Sequence, residues 1–478
     1  MNAALQHKNL IYLGLGLFII LNSILIAFDQ WWLSALPVAL IIVGVALFRT
    51  DLLLLLIVFA TPLSVTLEEL EFGLGVYLPT EPLMFGAMMV FIVKLFYDGK
   101  FDKSVALHPI SIVIYANLIW IFIAVFPSEL PLVSLKFLVS RLWFVLTFYF
   151  MATTLFKKRD NMERFLWMFI IPLSGVIIYT IFNHAMRGFA EKPAHWVMQP
   201  FFKDHTSYGA IIAMYIPILW SFAFNPRFSL NAKIINGFFF TILLAGVIFS
   251  FTRAAWVSLV LGLIIYFLIY FKVKLKVLFV TIGFSLFLLF NFQNEIIMAL
   301  EKNKQDSSNN LAEHVESISN VASDASNLER INRWSCALRM FAERPVFGHG
   351  PGTYAFLYAP YQHSSQLTII STNFGDGGNA HSEYFGPLAE TGALGLLTFL
   401  AIILVVYFRG IRMYQRLEDK RLKSLTMGVI IGLSTYLIHG LLNNFLDTDK
   451  ASVPFWGFIA ILVAIEVYHE KSVEAKTE

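Results

Sequence analysis

Residues 234–271 read IINGFFFTILLAGVIFSFTRAAWVSLVLGLIIYFLIYF, and Arg253 is the only charged residue among them. About 20 helical residues cross a hydrocarbon core of roughly 30 Å, so the stretch holds two spans that meet at the Thr252/Arg253 turn. Lipid offers the backbone no hydrogen-bond partner, which restricts spanning segments to helices or closed barrels. Continuous apolar runs, rather than alternating strands of about ten residues, select helices.

Similar runs lie near 10–28, 32–48, 51–66, 80–97, 108–126, 136–156, 162–182, 205–224 and 274–292, and again near 392–408, 424–444 and 451–468. The third run is short and ends in Glu68, Glu69 and Glu71, and the second contains Pro37. The fold expected is therefore all-α and polytopic, with about 12 to 14 transmembrane helices. Composition agrees: the chain is 58% hydrophobic and only 14% charged, far from the near-quarter charged make-up of soluble domains. Mean hydropathy is +0.69. The first run has no small-residue cleavage signature and reads as a retained span.

Basic residues orient the spans. Lys100 and Lys103, Lys157 to Arg159, Arg227 and Lys233, Lys272, Lys274 and Lys276, and the stretch from Arg409 to Lys423 all fall on one side, which the positive-inside rule makes cytoplasmic. Segments 183–204 and 293–391 and the Thr252/Arg253 turn then face outward. This divides the chain into a transmembrane bundle (1–292), a large outward-facing loop (293–391) and C-terminal helices with a short tail (392–478). Within the loop, 303–328 is rich in Ser, Asn and acids and reads as a solvated insert. From Asn327 the spacing of Ile331, Trp334, Ala337, Leu338 and Phe341 predicts an amphipathic helix ending before Pro345.

Several residues on the outward side could carry chemistry. Arg253 has no acid within twenty residues along the chain, so either a ligand partners it or it snorkels to the interface. Arg333, Arg339 and Arg344 read as locally paired, with Glu329 and Glu343 at hand. His381 lies in GDGGNAHSEYFGPLAETGALG (375–395) and is either a structural loop histidine or a base, with Asn379, Glu383 and Tyr384 near enough to orient it. GHGPG at 348–352 lacks the GK[ST] ending of a nucleotide loop, and its glycines suit a tight turn with positive φ. A metal site is not indicated: there is no HExxH, and His205, His363 and His381 lack ligand spacing. Cys336 is the only cysteine and reads as packing.

Taken in order, these pieces resemble the O-antigen ligase and polymerase superfamily. The likeness rests on R-x-x-x-W at Arg330 and Trp334, P-x-x-G-x-G-x-G from Pro345 to Gly352, N-A-H-S-E-Y around His381, and L-A-E-T-G-A-L-G at 388–395. T-R-A-A-W from Thr252 to Trp256 is similar to the family's turn, with Ala254 in place of Gly, and F-K-D-H-T-S-Y-G-A at 202–210 is a weaker match. The resemblance covers 202–395. It implies a multi-pass protein of the bacterial inner membrane with its active face periplasmic. The activity implied is that of a glycosyltransferase without metal or other cofactor, acting on an undecaprenyl-diphosphate-linked oligosaccharide and a glycan acceptor.

By the same resemblance His381 activates the acceptor hydroxyl and Arg253 binds the diphosphate. Arg187 or Lys203 supplies a second phosphate contact, and Arg330 serves phosphate binding or loop shaping. Glu383, Tyr384 and Glu390 are supporting residues. The partners expected are membrane lipid and glycan-assembly proteins, with no nucleic acid. A polymerase is favoured over a lipid A core ligase or a protein O-oligosaccharyltransferase because no protein-binding domain is visible. The non-enzymatic alternative is a polyprenyl-glycan transporter.

Overall fold

The computed structural model describes residues 2–66, 77–99, 101–223, 229–273, 325–364 and 378–470. The span expected at 274–292 lies outside them, as do the insert up to residue 324, the acids Glu68, Glu69 and Glu71, and Lys100, Arg227, Lys274 and Lys276. The protein is an all-α polytopic membrane protein. Among the described residues nine helices are long and apolar enough to cross a membrane, and four shorter apolar helices accompany them.

Two compact units are present, 1–54 and 55–478. The first contains α1 (Asn2–Ala27) and α2 (Leu36–Phe48), and α3 (Thr50–Ala60) begins in it. Pro37 sits in the first turn of α2, where its missing N–H costs no helical bond, so the expected span survives it.

In the second unit a two-residue antiparallel pair, β1 (Val65–Thr66) and β2 (Tyr77–Leu78), precedes α4 (Thr80–Asp98). Next come α5 (Pro109–Val125), α6 (Pro131–Val145), α7 (Arg159–Ala185), α8 (His205–Ala223), α9 (Leu230–Phe249) and α10 (Arg253–Tyr270). The loop helix α11 (Ala325–Glu343) leads to α12 (Phe385–Arg416), α13 (Lys420–His439) and α14 (Asp449–Ala464). The helix α8 packs along α9 and α13, α10 lies on α13, and α5 and α11 both pack on α12. Buried residues run almost the whole length of α13 and α14, whereas α9 and α10 expose large apolar side chains, as lipid-facing helices do.

Two expectations are corrected. The helix expected to start near 392 begins at Phe385 and breaks at Gly392, whose φ of 70° and ψ of −169° only glycine adopts readily. A Cβ at Gly392 would lie 2.1 Å from the Val346 carbonyl oxygen, and the Ala393 amide donates to the Pro345 carbonyl at 2.9 Å. The kink thus lets the strand of chain around 345–350 dock against α12.

The buried face of α11 is also rotated from the one its apolar residues suggested. Glu329, Asn332, Arg333, Cys336, Ala337 and Met340 are buried, while Leu338 is exposed. Arg333 and Glu329 pair at 2.7 Å on successive turns, and the guanidinium lies 4.0 Å from the Tyr358 ring centroid, so the two charges are buried together. Cys336 packs with Met340, Tyr354 and Tyr358 in the same small core, in keeping with the packing role read for it.

Candidate active site

The chain enters α12 through a set of short polar caps. Asn379 Oδ1 accepts the His381 amide at 3.1 Å, and Ser382 Oγ accepts the amides of Tyr384 and Phe385 at 3.2 and 3.4 Å. Between them His381 adopts φ 50°, a left-handed conformation that costs a non-glycine residue about 1–3 kcal/mol. Trp334 holds it there: its Nε1 donates to the His381 carbonyl at 3.4 Å, and its ring stacks on Phe385 at 5.3 Å between centroids. Arg330, one turn earlier on the same face of α11, donates from Nε to the Leu442 carbonyl at 3.2 Å. The R-x-x-x-W spacing therefore lets one helix face grip both walls of the site.

Asn443, in the turn between α13 and α14, lies near enough to the His381 ring to favour its protonated form. Burial first, then the positive charges of Arg330 and Arg333, hold its pKa down to about 4. The imidazole is thus neutral at neutral pH, the form that can accept a proton.

The Thr252/Arg253 turn meets the start of α8. Asp204 caps that helix, accepting from Thr206 Oγ1 at 2.6 Å and the Ser207 amide at 2.8 Å. Thr252 Oγ1 donates to the His205 carbonyl at 2.7 Å, and a Cβ on Gly209 would lie 2.8 Å from Thr252, so only glycine admits this contact. Arg253 follows as the first residue of α10. His439, at the end of α13, lies within electrostatic reach of Asp204, His205 and Arg330, and its Nε2 is 3.1 Å from Asn443 Nδ2. The 202–210 segment, the arginine turn, α11 and the His381 loop thus converge on one end of the bundle.

The supporting acids hold the frame. Glu383 accepts from Tyr436 Oη at 2.6 Å and from the Phe445 and Leu446 amides at 2.7 and 2.9 Å, and burial pushes its pKa up to about 7. Its bonds run to Tyr436 and the 440–448 turn, rather than to the His381 ring that the sequence placed it beside. Tyr384 Oη donates to the Leu437 carbonyl at 3.0 Å.

Glu390 accepts the Tyr354 amide at 3.0 Å, and its carbonyl accepts the Gly350 amide at 2.8 Å, pinning the GHGPG turn to α12. Gly348, Gly350 and Gly352 all have positive φ, as the turn reading required. Arg187 is exposed and bonds to the Asn183 carbonyl at 2.9 Å. Lys203 is exposed beside Asp204. Of the loop arginines read as paired, Arg333 pairs with Glu329, and Arg344 meets Glu129 at 3.1 Å rather than Glu343. Arg339 donates to the Tyr361 carbonyl at 2.7 Å.

Asn443 and His439 were missed in the sequence, although a polar pair at i and i+4 closing an apolar span is a signal that could have found them.

Fold and site together define a multi-pass membrane protein with a histidine and arginine cluster at one end of its bundle. Residues 238–400 match the Wzy_C family model, described as O-antigen ligase, which supports the resemblance to the O-antigen ligase/polymerase superfamily. The match includes Arg253, Arg330, the GHGPG turn and His381, and leaves out Arg187, Lys203 and Asn443. No curated protein matches the chain. Members of the family are glycosyltransferase-like ligases and polymerases, which supports an enzymatic activity.

Proposed function

We propose that the protein transfers a glycan from an undecaprenyl-diphosphate carrier to a sugar hydroxyl at the periplasmic face of the bacterial inner membrane, as a surface-polysaccharide (O-antigen) polymerase. One observation carries this reading: a neutral, half-buried His381 in a left-handed backbone conformation, within electrostatic reach of Arg330 and inside the matched segment. In the reaction the acceptor oxygen attacks the anomeric carbon while the bond from that carbon to the diphosphate oxygen breaks. His381 takes the hydroxyl proton. The bonding electrons leave on undecaprenyl diphosphate, whose charge Arg330 and Arg253 hold, with Arg187 or Lys203 as the further phosphate contact. Single displacement inverts the anomeric carbon.

The donor also tunes the base. Arg330 and Arg333 hold the His381 pKa down, and a bound diphosphate offsets their charge, so His381 becomes more basic when the donor is in place. A lone imidazole then suffices, because diphosphate leaves readily once its charge is held.

The polymerase needs the fewest parts, since donor and acceptor are both lipid-linked glycans. A ligase to lipid A core or a protein O-oligosaccharyltransferase would share the donor site. A transporter would gather its ionisable groups near the bilayer midplane, whereas His381 lies in the turn before α12, Arg330 in the loop helix α11 and Arg253 at the first residue of α10. Purified protein given only the lipid-linked glycan should yield a ladder of longer lipid-linked products. Transfer seen only when lipid A core or a protein is added would replace the polymerase with the corresponding alternative, and no transfer to any acceptor would overturn the enzymatic reading.

A further inference from the structure

Two phenylalanines in the outward turns share a backbone conformation that side chains rarely adopt: Phe189 has φ 54° and Phe251 has φ 52°. Phe189 stands two residues after Arg187, and Phe251 two residues before Arg253. Both rings pack on one side chain, His184, in the last turn of α7.

His184 is buried, at 1% exposure. Its ring meets Phe189 edge-on at 5.3 Å between centroids, Phe251 at 5.8 Å and Phe249 at 6.4 Å, and Phe189 stacks on Phe249 at 4.9 Å. The Ala190 carbonyl, 2.8 Å from His184 Nε2, can only accept, so Nε2 carries the proton. Nδ1 has no hydrogen-bond partner among the described residues, so one bond and three phenyl rings fix the imidazole.

The main chain closes the same turn: the Arg187 and Phe189 amides donate to the His184 carbonyl at 3.0 and 3.1 Å. Left-handed residues persist only where their surroundings over-determine them, and here one side chain braces two. Beyond Phe251 the chain is held again, since Ser250 Oγ accepts the Thr252 amide at 3.2 Å and Thr252 Oγ1 donates to the His205 carbonyl. Arg253 therefore opens α10 from a turn fixed by His184 on one side and by the start of α8 on the other.

From this geometry we infer that His184 is a positioning residue for the donor site proposed above, on which the inference rests: it holds the Arg187 turn and the Arg253 turn at a set separation, and so selects a diphosphate over a single phosphate. A diphosphate can engage cations on both turns, whereas a monophosphate has oxygens enough for one. His184 is buried and acts through the two arginines.

The test is equilibrium binding of polyprenyl diphosphate and polyprenyl monophosphate, of one chain length and in one detergent, to the purified full-length protein. Wild type should favour the diphosphate about tenfold or more, the worth of one further charge-assisted contact. His184→Ala should bring that ratio close to unity by weakening the diphosphate alone, and Arg253→Ala should do the same. His184→Phe, which keeps a ring and loses the bond to Ala190, should fall between.

A wild-type ratio in His184→Ala, including one in which both lipids weaken alike, would overturn the positioning role; loss of the ratio in Arg253→Ala would then leave the donor reading standing. If His184→Ala does not fold, His184→Phe decides, and a wild-type ratio there overturns the role. Equal binding of the two lipids by wild type would remove the diphosphate reading and this inference with it.

Discussion

At the end of the bundle that carries the basic loops, the cations meet carboxylates. Arg159 forks onto Asp419 at 2.7 and 3.1 Å, Arg421 pairs with Glu163, Arg409 pairs with Glu466, and Lys157 reaches Asp102 at 3.2 Å. At the other end Arg330 donates to a main-chain carbonyl, Arg187 does the same, and the buried Lys450 donates to the carbonyls of Thr61 and Ser64 at 2.7 and 2.8 Å. A carbonyl takes up one of a guanidinium's five N–H groups and none of its charge, so the exposed Arg187 can still bind a phosphate. Pairing at the first end serves orientation and modest stability, whereas the second end also sets arginines on main-chain carbonyls beside a neutral histidine. Arg141, Arg333 and Arg344 share the second end but are paired with Asp447, Glu329 and Glu129, which marks them as frame rather than ligand.

Substitutions can break this contrast. Arg330→Ala should lower kcat/KM about 10²–10³-fold if the guanidinium stabilises the leaving diphosphate, and Arg253→Ala should act alike; both are read in the transfer assay, with donor binding measured separately. The frame is tested next by Gly350→Ala. A Cβ there, at φ 120°, would lie 2.0 Å from Ser128 Oγ, so the variant should lose about 1–3 kcal/mol in thermal unfolding. Activity should fall as the GHGPG turn leaves α12.

A smaller effect separates free enzyme from complex. Since kcat/KM reports the free enzyme and kcat the donor complex, the acid limb of kcat/KM should fall near the His381 value of about 4, and that of kcat should lie higher. Coincident limbs would contradict tuning by the donor.

The smallest effects belong to the basic end. Arg421→Ala should leave transfer within about twofold of wild type and cost less than about 1 kcal/mol. Asp419→Asn should cost a similar amount, because Asn keeps the cap on α13. The Arg159 fork holds the Asp419 pKa down to about 2 against 3.8 when unpaired. That stabilisation is present above pH 3.8 and is lost as pH falls through about 2, so wild type and Asp419→Asn should converge in unfolding temperature in acid.

Much of the fold was legible because lipid imposes it. Apolar runs such as 234–271 set the helices α9 and α10 to within about two residues, since each span must satisfy its own backbone. The kink at Gly392 was not legible, because LAETGALG has good helix formers around a glycine whose φ is set by Pro345 and Val346 from another part of the chain. The rotated face of α11 was hidden for a related reason: two charges that cancel each other can be buried, and hydropathy counts them as exposed.

In the site, His381, Arg330 and Arg253 stood out as polar residues at span ends or in a patterned loop. Asn443 and His439 did not, because STYLIHGLLNNFLD reads as the end of an ordinary span, and only folding brings Asn443 to His381.

The central claim is that His381 accepts the proton of the incoming hydroxyl. The most direct measurement is the single-turnover transfer rate of purified His381→Ala with saturating polyprenyl-diphosphate glycan, beside donor binding by the same protein. The account predicts a rate lower by about 10²–10⁴ with donor affinity retained. Wild-type transfer by His381→Ala would contradict it.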